Sequence, residues 1–336
     1  MIELGAARED LERRLAAERG WRIARWTELD AGRNNRLFRL DLDGGPPLLG
    51  KFYGSNPWGG LGREFATLAF LGARRFPGVP RAHLRSDAFT YAVYSFEPGV
   101  AVAPADFTDA DLVAAAAFAA DLHAFGPEPG ASALPPTIEC CRSPADQRGI
   151  IARRLGGFLA FATGPTAPAE VRALGRAIDL RAEVDRLIAR ATADLAPDDL
   201  ARALPRAAWR LNTADFGPHN ILVRPGGLTV VDFEWAGWDD PARLVMGFVS
   251  HPASAGLTPA GRATFLRAYA RVGALYDVEW VAACASAMTA EAQAIAAFAV
   301  AGFDARAHRA GLIARLEARL ERARAGSGYR FPDEAG

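Results

Sequence analysis

The sequence predicts an α+β chain of two lobes. Residues 1–97 read as an antiparallel sheet with one inserted helix, and residues 98–336 as a mainly helical lobe that carries a short β-hairpin. Three observations predict this. Short apolar runs at 21–28, 37–41, 47–53, 83–85 and 90–96 are punctuated by Gly, Asn and Pro at 32–35 and 43–47, the pattern of strands joined by turns. From residue 106 Ala-rich helical periodicity takes over, broken by Pro/Gly loops at 126–137 and 163–168. One β-like island, 208–231, interrupts the helices. The 336 residues, 50% hydrophobic and 23% charged, suffice for two packed units with folded, not disordered, composition.

The elements follow in order. Residues 6–19 form a charged amphipathic helix ahead of the sheet. The third apolar run ends in Gly50-Lys51-Phe52-Tyr53, and Lys51 is the only lysine among 39 basic residues, the other 38 being arginine. A position that stays Lys under such a bias marks a need that Arg does not meet. In the inserted helix, 60–75, Glu64 shares helical spacing with Leu61, Phe65 and Leu68 and so rides the apolar stripe. A carboxylate on a buried face needs a cationic partner, and Lys51 is the one expected. The lobes meet near 97–104. The stretches 114–120 and 281–303 read as buried Ala-rich helices, not membrane spans, because acidic residues bound or interrupt them. Leu312, Leu316 and Leu320 line one face of a last helix with a solvated charged side.

Composition narrows the function classes. Lys plus Arg and Asp plus Glu are both 39, a net charge of zero that argues against nonspecific nucleic-acid binding. Cys140, Cys141 and Cys284 have no zinc-ligand spacing and read as free thiols in a reducing compartment. The N-terminus shows no apolar signal segment, so a cytoplasmic location is expected. No signature of oligomeric state is visible.

The chemistry concentrates between Leu211 and Pro241. Asp215 precedes Asn220 by five positions. Two short apolar runs flank Pro225-Gly226-Gly227, which reads as a hairpin that returns Asp232 beside Asn220. An acid, an amide and a second acid therefore converge. Such a trio suits phosphoryl transfer, which needs charge neutralisation and an oriented nucleophile more than covalent help. Asn220 and Asp232 offer the hard oxygens that Mg²⁺ prefers. Asp215 is left to accept the proton of a substrate hydroxyl.

These residues resemble the aminoglycoside phosphotransferase and choline kinase-like family, which has a protein-kinase-like fold. The resemblance lies in that family's H-x-D-x-x-x-x-N loop and its following I-D-[WF]-E. It implies Asp215 as catalytic base, Asn220 and Asp232 as metal ligands, and Lys51 held by Glu64 on the nucleotide phosphates. Ala236-Gly237-Trp238-Asp239-Asp240-Pro241 is similar to a further family run, A-G-x-G-D-P. By position, Gly32, Asn34 and Asn35 are implied to cover the phosphates, and Phe96 and Glu97 to lie at the adenine-reading hinge. The implied cofactors are Mg²⁺ and ATP or GTP, and the implied partner is a small molecule bearing a hydroxyl (a sugar, an amino alcohol or an aminoglycoside-like compound), with no nucleic acid and no membrane.

Thr213 stands where the family has His. That departure motivates an alternative, a nucleotide-binding protein of little or no catalytic activity that acts through partner contacts. Asp215-Phe216-Gly217 also spells the metal-binding tripeptide of protein kinases, but no D-x-x-x-x-N precedes it, and no long activation loop or A-P-E follows Asp232. Glu234 is a candidate for a second metal contact or a structural role. Asp239 and Asp240 are expected to cap the helix at Pro241. His123 reads as packing, and Trp235 and Trp238 as pocket floor or core.

Overall fold

A computed structural model describes residues 4–30, 35–54, 59–127, 134–177, 179–193, 196–254, 256–257, 313 and 317. Gly32, Asn34, Cys284, the stretch 281–303 and the stripe Leu312, Leu316 and Leu320 lie outside them. The first helix, α1 (Leu4–Arg19), precedes β1 (Ile23–Leu29), β2 (Asn35–Leu42) and β3 (Leu48–Tyr53), which are followed by α2 (Gly60–Ala73), β4 (Ala82–Ser86) and β5 (Tyr91–Ser95). The five strands form one antiparallel sheet in the order β1-β2-β3-β5-β4. The helix α2 stops short of the expected residue 75 because Arg75 turns left-handed, at φ 55°.

The two faces of β3 explain where Lys51 points. Successive strand residues alternate sides. Leu48 and Phe52 join a core with Ala7, Leu11 and Leu15 of α1 and with Phe38, Leu40 and Tyr91. Leu49 and Tyr53 face the opposite side, where a larger core contains Leu61, Leu68 and Leu71 of α2. Lys51 shares that second face and is 5% exposed.

Beyond β5 come β6 (Val100–Ala101) and the helices α3 (Asp109–Leu122), α4 (Pro144–Thr163), α5 (Ala169–Ala177), α6 (Leu180–Ala191) and α7 (Pro197–Ala201). A capping box at Thr108 and Asp111 starts α3. Ile151, Leu155 and Phe158 of α4 meet Val184, Leu187 and Ile188 of α6 in a separate core. The β island follows as β7 (Arg210–Asn212), β8 (Ile221–Arg224), β9 (Gly227–Val230) and β10 (Gly237–Asp239), and then come α8 (Pro241–Ser250) and a short 3-10 turn at Pro252–Ser254. The expected hairpin is β8–β9, with Ile221 paired to Val230 and a two-residue Pro225-Gly226 turn. Gly226 sits at φ 79°, which the residue after a turn proline needs and glycine tolerates.

The strands β6 and β10 were not expected. Residues 237–239 pair with β7, Gly237 opposite Asn212, so the run before Pro241 is a strand and then a cap. Asp240 does cap α8, accepting the Ala242 N–H at 2.9 Å. Asp239 does not share that duty. It is fully buried, accepts the Cys141 N–H at 2.7 Å and pairs with Arg243 at 3.0 Å. Trp238, 1% exposed, belongs to the core. The Cys140 thiol donates to the Trp238 carbonyl at 3.6 Å and the Cys141 thiol to the Ser143 carbonyl at 3.7 Å, and His123 is buried as a packing residue. Among the described residues no helix is long and apolar enough to cross a membrane.

Candidate active site

Lys51 stands at the centre of the first cluster. Its Nζ lies 2.7 Å from Glu64 Oε2, 2.7 Å from Asp232 Oδ1 and 3.9 Å from Glu234 Oε2. The Lys51–Glu64 pair expected from the helical stripe is present, and both side chains are buried. Glu64 does more than hold the ammonium. Its Oε2 also accepts the Tyr53 hydroxyl at 2.6 Å, and its Oε1 accepts the Phe233 N–H at 3.2 Å. The Tyr53 and Tyr94 hydroxyls lie 2.8 Å apart. The helix α2 is thereby tied to β3 and to the segment after the hairpin.

The electrostatics follow from this crowding. Burial pushes the Lys51 ammonium towards neutrality, but Asp232 and then Glu64 and Glu234 outweigh it and hold its pKa well above the ordinary value. The Tyr53 hydroxyl is pushed up by burial and by the Glu64 charge, so it stays a donor. Burial and the Asp232 charge push the Glu234 carboxyl up to about 7, against the pull of Lys51. Three carboxylates thus surround one ammonium, and Glu64, Asp232 and Glu234 each offer an oxygen within 4.8 Å of the others. That excess of negative charge and the hard-oxygen donor set fit a divalent cation.

The second cluster forms around Asp215, whose side chain is 34% exposed. His219 Nε2 lies 3.3 Å from both carboxylate oxygens, and His251 Nε2 lies 3.2 Å from Oδ1. The two imidazoles stack with centroids 4.5 Å apart and planes 16° from parallel. Burial works to raise the Asp215 carboxyl, but His219 first and then His251 overcome it and hold it below the usual carboxylate range.

Asn220 links the clusters. Its Nδ2 donates to the Asp215 carbonyl at 2.9 Å, which turns its Oδ1 away as an available acceptor. Its own carbonyl accepts the Val231 N–H at 2.9 Å, beside Asp232. Ala214 and Asp232 both adopt left-handed backbone, at φ 62° and 66°. Such conformations cost on the order of 1–3 kcal/mol each and collect at functional sites. They aim Asp215 and Asp232 from the two ends of the loop–hairpin segment.

The remaining expectations fall out unevenly. Asn35 reaches the first cluster, donating to Glu234 Oε2 at 2.9 Å and accepting the Gly54 N–H at 3.3 Å. Phe96 and Glu97 follow β5 as expected, with Phe96 under the Arg39 guanidinium and Glu97 accepting the Ser95 hydroxyl. Thr213 is fully buried, and its Oγ1 has no hydrogen-bond partner among the described residues. Sequence reasoning missed the Tyr53–Tyr94 pair and His251. Tyr53 is two positions from Lys51 and therefore on its face, a signal that alternation supplies. His251 is 36 residues beyond Asp215 and has no motif spacing to it.

A sequence profile of the phosphotransferase enzyme family matches residues 25–284. The chain belongs to that family. No curated protein matches it. Among solved structures this family member is similar to a spectinomycin phosphotransferase captured with ADP and spectinomycin, with 13% identity, a TM-score of 0.63, and 95% of this chain and 98% of that one covered. A choline/ethanolamine kinase family protein from Mesorhizobium loti is 19% identical, with a TM-score of 0.55 over 95% of this chain and 100% of that one. A choline kinase from Streptococcus pneumoniae is 14% identical, with a TM-score of 0.57 over 94% and 99%. At these identities the likeness is one of fold, and it establishes the kinase-like architecture of this phosphotransferase family member.

Proposed function

We propose that the protein transfers the γ-phosphoryl group of ATP, or of GTP, to a hydroxyl of a small molecule. The observation that carries this reading is the meeting of Lys51, from the sheet, with Asp232, from the hairpin 181 positions later, at 2.7 Å. Asn220 then ties that point to Asp215. Residues 1–97 would serve as the nucleotide-binding lobe and 98–336 as the lobe that carries the catalytic loop and the acceptor pocket.

In this reading Asp232 and Asn220 hold Mg²⁺, which supplies charge neutralisation at the phosphates. Lys51, fixed by Glu64, presents a compact charge to the α- and β-phosphates, with Asn35 beside them. The segment at Phe96 and Glu97 takes the base. Asp215 orients the acceptor hydroxyl and accepts its proton, for which a depressed pKa keeps it ionised. The relative captured with ADP and spectinomycin, and the two named for choline, support a nucleotide donor and a polar, hydroxyl-bearing acceptor of modest size.

Asp215→Ala tests the division of labour. ADP release with a panel of sugars, amino alcohols and aminocyclitols should disappear, while Mg-nucleotide affinity stays within about twofold of wild type, because Asp215 touches neither phosphate nor metal in this scheme. Loss of nucleotide binding in a folded variant would overturn the assignment. Wild-type protein that binds Mg-ATP yet turns over no acceptor would favour the alternative suggested by Thr213.

A further inference from the structure

Two histidines and an aspartate whose ligand atoms lie within 4.8 Å of one another have the composition of a transition-metal site. The hydrogen bonding at His251 argues for something else. The Ala253 N–H donates to His251 Nδ1 at 3.0 Å. An Nδ1 that accepts carries no proton, so the ring is neutral and its proton sits on Nε2. That is the atom a metal would need bare. The Nε2–H instead points at Asp215 Oδ1, 3.2 Å away. The face-to-face rings also put any ion between them out of both ring planes.

We infer that His251 is the positioning residue for Asp215, a fixed Nε2–H donor that holds Oδ1 and so orients Oδ2, which His219 Nε2 also approaches at 3.3 Å, for the acceptor hydroxyl. The inference rests on the reading of Asp215 as the base. Local structure over-determines His251. It ends α8, its N–H donates to Gly247 O at 2.8 Å, and its carbonyl accepts the Ser254 N–H at 2.8 Å. Phe248, three residues earlier and so on the same helical face, packs on Phe216 with centroids 5.1 Å apart. Adjacent residues 215 and 216 are therefore gripped by 251 and 248. Asn212 Nδ2 donates to the Asp240 carbonyl at 3.4 Å, and β7 pairs with β10, which anchors the start of α8 to the strand that leads into Asp215.

Gly217 completes the seat. A Cβ there would come within 2.8 Å of His219 Nδ1 and 3.5 Å of the His251 ring. The third residue of the D-F-G string is thus the space in which the imidazoles stack. Thr213, the residue that replaces the family's loop histidine, makes no hydrogen bond through Oγ1 among the described residues. The carboxylate's orientation comes from the end of α8 instead.

Two measurements test this independently. In protein labelled with ¹⁵N at histidine, His251 Nε2 should bear the proton and Nδ1 none, and Asp215→Asn should shift the Nε2 resonance. A protonated Nδ1, or indifference to Asp215→Asn, overturns the inference whatever the enzyme does. In turnover assays that follow ADP release with the acceptor panel and with water alone, His251→Leu should lower kcat about tenfold to a hundredfold. Mg-nucleotide affinity and the acceptor KM should stay close to wild type. His251→Gln, which keeps a donor near Nε2, should recover most of kcat, and His251→Asn, whose amide is too short, should not. If the Leu variant fails to fold, the Gln–Asn contrast decides alone. Equal kcat in the Gln and Asn variants, or wild-type kcat in the Leu variant, overturns the positioning role. Wild-type protein that releases no ADP under any condition removes the phosphotransferase reading and this role with it, while the tautomer measurement still decides whether the contact exists.

Discussion

Around Lys51, three carboxylates share one buried ammonium and a pair of buried tyrosines seals the back. Around Asp215, two stacked imidazoles share one carboxylate that remains a third exposed. In the first cluster Lys51, Glu64 and Glu234 are out of water and only Asp232 reaches solvent, at 35% exposure, so each buried partner is costly to remove. The second has one face open, as a group that must receive a substrate hydroxyl requires. A buried ion network fixes geometry, and an exposed carboxylate keeps reach at the expense of local stabilisation.

The largest expected effect tests the shape of the first cluster. Lys51 Nζ has oxygens at 2.7 Å on two sides and the Tyr53 ring centroid 5.0 Å away, with a side chain only 6% exposed. A guanidinium is larger and planar, and it would displace Glu64 or Asp232. Lys51→Arg should therefore lower kcat/KM on the order of a hundredfold or more, measured by ADP release. Near-wild-type rates would make the single lysine a matter of composition.

Next comes Glu64→Ala, which takes a partner from Lys51, from Tyr53 and from the Phe233 N–H at once. Breaking a buried pair on one side costs about 3–5 kcal/mol. Urea unfolding should show a loss of that size, and a loss below 1 kcal/mol would mean that the Lys51 cluster is no more buried in energetic terms than the Asp215 cluster. Tyr53→Phe removes only one hydrogen bond to Glu64 and one to Tyr94. Its cost should be smaller, about 1–3 kcal/mol, since a buried hydroxyl is left with a missing partner.

The same contrast decides what the sequence could disclose. Lys51 and Glu64 were legible because each breaks a local rule, one as the sole lysine and the other as an acid on an apolar stripe. Asp215, Asn220 and Asp232 were legible because a turn of known chemistry folds a short segment onto itself. The strand β10 was not, since its three residues, 237–239, are too few for alternation to register and pair with a strand 25 positions earlier. His251 was hidden for a related reason. Its partner is chosen by the packing of α8 on Phe216, a tertiary contact that no spacing encodes. Asp239 looked like a cap beside Asp240 and became a buried ion-pair partner of Arg243, a difference set by which acid faces the core.

The smallest expected effect belongs to His219→Ala. The His219 side chain is 35% exposed, and its Nε2 straddles both Asp215 oxygens at 3.3 Å, so neither contact is short. An exposed pair of this kind contributes about 0–1 kcal/mol, and Asp215 keeps its hydrogen bond from His251. Thermal unfolding should move by no more than a few degrees. A loss of several kcal/mol would place the Asp215 cluster in the same energetic class as the Lys51 cluster, and the openness assigned to it would then have to come from movement of the imidazole stack and not from the arrangement seen here.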